Sequence, residues 1–197
     1  IRLLEEYERY RPIEGNHADS WAFAQFFDET PPGQDDAFVR YLTDAARDAG
    51  AAGFDLQLDC PDLAMAAHTG YQALSEKEFL ERARQNVEAL NAATRGIPPE
   101  KLRMHICWGN YEGPHHCDIP LEKVIDIVLA ARPMTLLFEA ANPRHEHEWE
   151  IWRDAKPKDK ILAPGLIDSC SNYVEHPELI RQRIERYVRF MGEERAI

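Results

Sequence analysis

Long apolar runs are missing from this sequence. No stretch approaches the roughly 20 residues that cross a bilayer, and the opening residues, Ile1 to Arg11, are charged rather than signal-like. On this reading membrane insertion is excluded and a cytoplasmic location is expected. An excess of cations is missing as well, because 23 Lys and Arg face 35 Asp and Glu, a formal net charge of −12. A surface of that sign repels phosphate backbones, which argues against nucleic acid and for small molecules as partners. Cysteine is sparse. Cys60, Cys107, Cys117 and Cys170 stand far apart, without the close even spacing of a disulfide scaffold, so they are expected to be free thiols or metal ligands.

What is present is a repeated grammar of helix and strand in 197 residues with 44% hydrophobic content, enough for one buried core. Residues 1–36 mix aromatics with a Pro31-Pro32-Gly33 break and read as a loop or insertion. A helical pattern from Asp36 to Ala49 leads to a strand over Phe54 to Leu58. Ser75-Glu76-Lys77-Glu78 is a capping box opening a helix to Ala93. Strands follow at Leu102 to Ile106, Thr135 to Phe138 and Ile161 to Ile167. Helices are expected over Leu121 to Ala131, over Glu146 to Trp152, and over Pro177 to Met191.

Such alternation predicts an α/β fold with a parallel sheet and crossover helices. Asp59, His105, Cys107, Glu139 and Asp168 all fall at or just beyond the C-terminal ends of strands, where a (β/α)₈ TIM barrel builds its active site. Cys107 to Glu139 and Glu139 to Asp168 span 32 and 29 residues, close to the roughly 31 per unit of an eight-unit barrel. Only four units can be counted. Four parallel strands cannot close, so the rest of the barrel is expected from residues outside this stretch or from another chain.

Met104-His105-Ile106-Cys107-Trp108 is the sharpest local signal. On a strand, residues two apart project to the same side, so His105 and Cys107 converge either as a packed pair or as half a zinc site. Glu139 closes the apolar run Leu136-Leu137-Phe138, where a carboxylate needs a positive partner.

Four ordered strings carry a resemblance: Leu56-Gln57-Leu58-Asp59-Cys60-Pro61-Asp62-Leu63-Ala64, Met104 to Asn110, Phe138-Glu139-Ala140-Ala141-Asn142-Pro143-Arg144-His145, and Pro164-Gly165-Leu166-Ile167-Asp168-Ser169. From Ala37 onward the chain resembles the cobalamin-independent methionine synthase family, particularly its short, single-barrel members. The resemblance implies one domain supplying roughly the C-terminal half of a TIM barrel, with residues 37–197 as the zinc-binding part. It implies zinc held by His105, Cys107 and Glu139, Asp59 on the amino group of homocysteine, and Asp168 at the catalytic rim. The implied reaction moves a methyl group from methylfolate or a methylated corrinoid to homocysteine, through a thiolate that zinc stabilises. Two departures accompany it. The family takes its last zinc ligand from a Gly-Thr-Asp-Cys-Gly-like segment, expected beyond Ile197, and Cys170 stands near the place where the long enzymes carry a proton-donating histidine. An epoxyalkane:coenzyme M transferase-like alkyl transfer and a non-catalytic barrel remnant remain the alternatives.

Other conspicuous residues read more plainly. His115, His116 and Cys117 form a solvated rim loop, with lid or substrate contact as the other reading. His145 and His147, interleaved with Glu146 and Glu148, read as an exposed helix start, with another metal site as the other reading. Trp108 and Trp152 are core or rim packing, or a platform for a pterin ring. Asn142, Ser171 and Asn172 are placed at the mouth of the barrel.

Overall fold

In this computed structural model the described residues are 55–197 together with Asp44, Asp48 and Gly53. The loop or insertion expected over 1–36 lies outside them. The helix expected over Asp36 to Ala49 is described only at Asp44 and Asp48, both helical.

Four five-residue strands form the sheet: β1 Leu56–Cys60, β2 Leu102–Ile106, β3 Thr135–Glu139 and β4 Ile161–Gly165. All pair in parallel, in the order β1-β2-β3-β4. Each strand therefore lies beside its predecessor and the winding never reverses, the arrangement of a barrel wall rather than of a doubly wound sheet. The last residues continue the same order. Leu162 N–H donates to Arg195 O at 2.9 Å and Ile197 N–H donates to Leu162 O at 3.0 Å, a parallel bridge on the far side of β4.

Between the strands run α1 Glu76–Ala93, α2 Leu121–Leu129, α3 Trp149–Ala155 and, after β4, α4 Pro177–Met191. The capping box at Ser75 is formed, with Ser75 N–H donating to Glu78 Oε2 at 2.8 Å and Glu78 N–H to Ser75 Oγ at 3.4 Å. At α4, Pro177 occupies the first turn and the His176 ring accepts from Glu178 N–H. The expected short helix from Glu146 divides into a 3₁₀ turn, Glu146–Glu148, followed by α3.

Alternation along the strands sorts side chains to two faces. Leu56, Leu58, Cys60, Leu102, Met104, Ile106, Leu136 and Phe138 are buried against Phe79, Ala83, Val87, Val124, Val128, Trp152 and Tyr187 of the helices. Trp152 is 1% exposed and stacks on Phe138 with ring centroids 4.3 Å apart. Its face is thus taken, and the core reading holds for this tryptophan. The other face of the sheet carries the half-buried Gln57, Asp59, Arg103, His105, Leu137 and Glu139. Among the described residues the helices cover only the opposite side, and the polar residues gather on this one.

Candidate active site at the C-terminal edge of the sheet

Parallel register decides which of these polar groups meet. Asp59 is the direct partner of His105, so both project from neighbouring strands on the same face, and Asp59 Oδ1 lies 2.6 Å from His105 Nδ1. That bond fixes the imidazole and leaves Nε2 as its free nitrogen. Two residues on, the Cys107 sulfur accepts from Gly109 N–H at 3.3 Å. Gly109 has φ +101°, a left-handed conformation that turns the chain back over the sulfur. Burial pushes the Cys107 thiol above its usual range, the Gly109 N–H opposes this, and the negative charge of Asp59 adds to it. Glu139 ends β3 and turns one oxygen on the backbone, Oε1 accepting from Ala141 N–H at 2.6 Å and Asn142 N–H at 2.8 Å. The positive partner that a buried glutamate requires is in part this pair of amides.

His105, Cys107 and Glu139 line one open cavity of about 440 Å³. Their ligand atoms are not drawn together. Among the described residues, three histidine, cysteine or carboxylate ligand atoms lie within 4.8 Å of one another at His115, Asp118 and His145. Cys170 lines the same cavity, its sulfur 3.1 Å from Asn110 Oδ1. Burial, then the charges of Asp168 and Glu139, raise this thiol too. All four cysteines are free. Asp168 faces a neighbouring cavity shared with His116 and Arg144, and its Oδ1 accepts from Cys170 N–H at 2.9 Å, shaping the loop after β4.

Two readings of the loops are corrected. His145 is 2% exposed rather than an exposed helix start, because its ring packs on Trp108, centroids 4.6 Å apart, and its nitrogens meet Asp118 Oδ2 at 2.8 Å and Glu148 Oε2 at 2.9 Å. Burial alone lowers the basicity of this ring, but hydrogen bonds to Glu148 and Asp118 outweigh it and hold His145 above the usual histidine range. Likewise His115 is buried, with Nδ1 2.8 Å from Asp118 Oδ2, whereas His116 and Cys117 are exposed as a solvated loop requires. Asn142 is buried at the cavity wall, its Oδ1 accepting from Arg144 N–H. Asn172 donates to Glu112 across the mouth.

The same arrangement of strands and helices occurs in a known enzyme. The chain is similar to a B12-independent methionine synthase from Shewanella sp. W3-18-1, solved in complex with selenomethionine, with a TM-score of 0.62 and 18% identity over 86% of this chain. The shared property is the fold. The chain spans 48% of the length of that protein. No protein-family model matches the chain, and no curated protein does. Among the described residues no helix is long and apolar enough to cross a membrane.

Proposed function

We propose that this chain is a zinc-dependent S-methyltransferase of the cobalamin-independent methionine synthase type, in which His105, Cys107 and Glu139 hold the metal and homocysteine is the acceptor. One observation carries the reading: three donors of nitrogen, sulfur and oxygen line a single cavity, and each is already oriented by a neighbour. Asp59 holds His105 Nδ1, Gly109 N–H holds the Cys107 sulfur, and the amides of Ala141 and Asn142 hold Glu139 Oε1. Such outer contacts are what metal-ligating side chains carry. The donor set suits zinc. The winding order of the sheet supports a (β/α)₈ barrel of which residues 1–197, as one domain, form about half. The neighbouring structure, bound to the selenium analogue of methionine, is consistent with the same chemistry.

Bound zinc would supply a thiolate near neutral pH. In the transfer the homocysteine thiol would give up its proton to solvent in the open cavity, its sulfur would take the methyl group, and the donor would depart with the electron pair of its broken bond to carbon. Asp59 bonds to His105, so its contribution is to orient that ring, with Oδ2 left to meet a substrate ammonium. Cys170 lines the cavity near the place where the resembled long enzymes carry a proton-donating histidine, which keeps a donor whose leaving group needs no proton, such as a methylated corrinoid, beside methylfolate. It equally keeps the epoxyalkane-type alkyl transfer as a second reading.

Purified protein is expected to hold zinc and to form methionine from homocysteine with one of the methyl donors, and Cys107→Ala is expected to lose the activity. Absence of methionine with methylfolate and with methylcorrinoid alike would end the methyl-transfer reading. Protein that holds no zinc either would favour the barrel remnant.

A further inference from the structure

The βα loops bring a second group of donors together beside the first. Asp118 lies in the loop before α2, His115 three residues ahead of it, His145 in the loop after β3, and His68 at the end of the second 3₁₀ turn after β1, Met65–His68. The Asp118 side chain is completely buried. His115 Nδ1 and His145 Nε2 both lie 2.8 Å from the same oxygen, Asp118 Oδ2.

Proton counting shows why this is unusual. The outer nitrogen of each ring faces a group that can only accept: His115 Nε2 lies 3.3 Å from Tyr111 O, and His145 Nδ1 lies 2.9 Å from Glu148 Oε2. Glu148 is fixed in turn, because Leu121 N–H donates to its Oε1 at 2.7 Å. With their hydrogens on the outer nitrogens, both neutral rings aim lone pairs at a carboxylate oxygen. Three lone-pair atoms converging in a buried place need a cation. Either the rings turn N–H groups toward Asp118, His145 then carrying an extra proton, or one metal ion serves all three. Protons leave two buried atoms unexplained, since Asp118 Oδ1 and His68 Nδ1 have no hydrogen-bond partner although they face each other at 3.6 Å.

We propose that His115, Asp118 and His145 form a second divalent-metal site, distinct from the His105, Cys107 and Glu139 set, with His68, which stands 3.6 Å from Asp118 Oδ1 and outside that tight group, swinging in as a fourth donor. Three imidazoles and one carboxylate select a borderline ion such as Zn²⁺, Co²⁺ or Ni²⁺ over Mg²⁺ or Ca²⁺, which take oxygen ligands. Glu148 and the Tyr111 carbonyl hold the outer nitrogens, as second partners of metal-bound histidines do. His115 and His145 also line the 440 Å³ cavity, so an ion there would face the same substrate space. It would act as an additional point of attachment for an anionic group of substrate or donor.

Cobalt titration of the metal-free protein tests this, because a thiolate ligand produces a sulfur-to-cobalt charge-transfer band and a nitrogen-oxygen site does not. Cys107→Ala/Cys170→Ala protein should still bind one Co²⁺ with visible ligand-field bands and no sulfur band. Asp118→Asn should abolish that uptake, and Glu148→Gln, which keeps an acceptor for Leu121 N–H, should weaken it about 10- to 100-fold. His68→Phe, which removes a nitrogen making no hydrogen bond, should weaken it while leaving the circular-dichroism melting curve unchanged. No cobalt bound by the double cysteine variant, or equal affinity in the His68 and Asp118 variants, overturns the proposal. A sulfur-free equivalent that persists while the sulfur band and methionine formation are both absent would refute the methyltransferase reading and leave this site standing.

Discussion

Replacing Asp62 by asparagine should make the protein more stable at neutral pH and scarcely change it in acid. Asp62 sits in the 3₁₀ turn after β1, where Asn86 Nδ2 donates to its Oδ2 at 2.9 Å. Burial pushes its carboxyl up to about 6, against hydrogen bonds from its own backbone and Asn86, and the nearby charge of Asp59 adds to the rise. An unfolded aspartate titrates near 3.9. Between those values the folded chain holds the proton more tightly than the unfolded one, so stability from this group is complete below pH 4 and is lost as pH rises through 6. A displacement of about two units corresponds to about 3 kcal/mol, and the partial exposure of the side chain reduces this to about 1–2 kcal/mol. Asparagine keeps an acceptor for Asn86 and never ionises. In urea unfolding at pH 7.5, Asp62→Asn should gain that 1–2 kcal/mol, about 2–8 °C in a thermal melt, and the gain should vanish near pH 4. An equal gain at both pH values, or none at either, refutes the reasoning.

Three further outcomes are expected. Arg183 is buried and bonds Glu146, Glu175 and the carbonyls of Leu166 and Ala141. Arg183→Met strands Glu175 and should cost about 3–5 kcal/mol in denaturant unfolding. Gly109→Ala forces a side chain into the left-handed region beside Met65 Sδ, 3.4 Å from the new carbon. It should cost about 1–2 kcal/mol and lower zinc affinity through the displaced Gly109 N–H. Asp59→Asn should weaken zinc binding about 10- to 100-fold by chelator competition, with a stability change small by comparison; unchanged affinity would remove Asp59 from the outer shell of His105.

Most strands and helices were legible because their signals are local, although β1 runs over Leu56–Cys60 rather than the expected Phe54 to Leu58. Alternation marks Leu102–Ile106, and the Ser75–Glu78 box and His176-Pro177 mark helix starts to within a residue. The placement of polar residues at strand ends was legible for the same reason. The pairing of Asp59 with His105 was not, since 46 residues separate them and only sheet register makes them neighbours. Asp118 was missed altogether, and His115 and His145 were read first as solvated. Gly-Pro-His-His-Cys-Asp and His-Glu-His-Glu look like solvated loops by composition, and what buries the second is remote in sequence: the Trp108 ring on His145 and the start of α2 on Glu148. The signal that could have found them is an i,i+3 spacing of histidine and carboxylate, present in both His115–Asp118 and His145–Glu148.

Trp108 follows Cys107 directly, its Nε1–H donates to Ile119 O at 2.8 Å, and one side of its ring lies on His145. An indole pinned at its nitrogen and braced by a tilted imidazole makes a stiff wall that the thiol-bearing strand end and the histidine-lined loops share along one cavity. Neither group of side chains can shift without leaning on that wall, so chemistry at one should be felt as a change of fit at its neighbour.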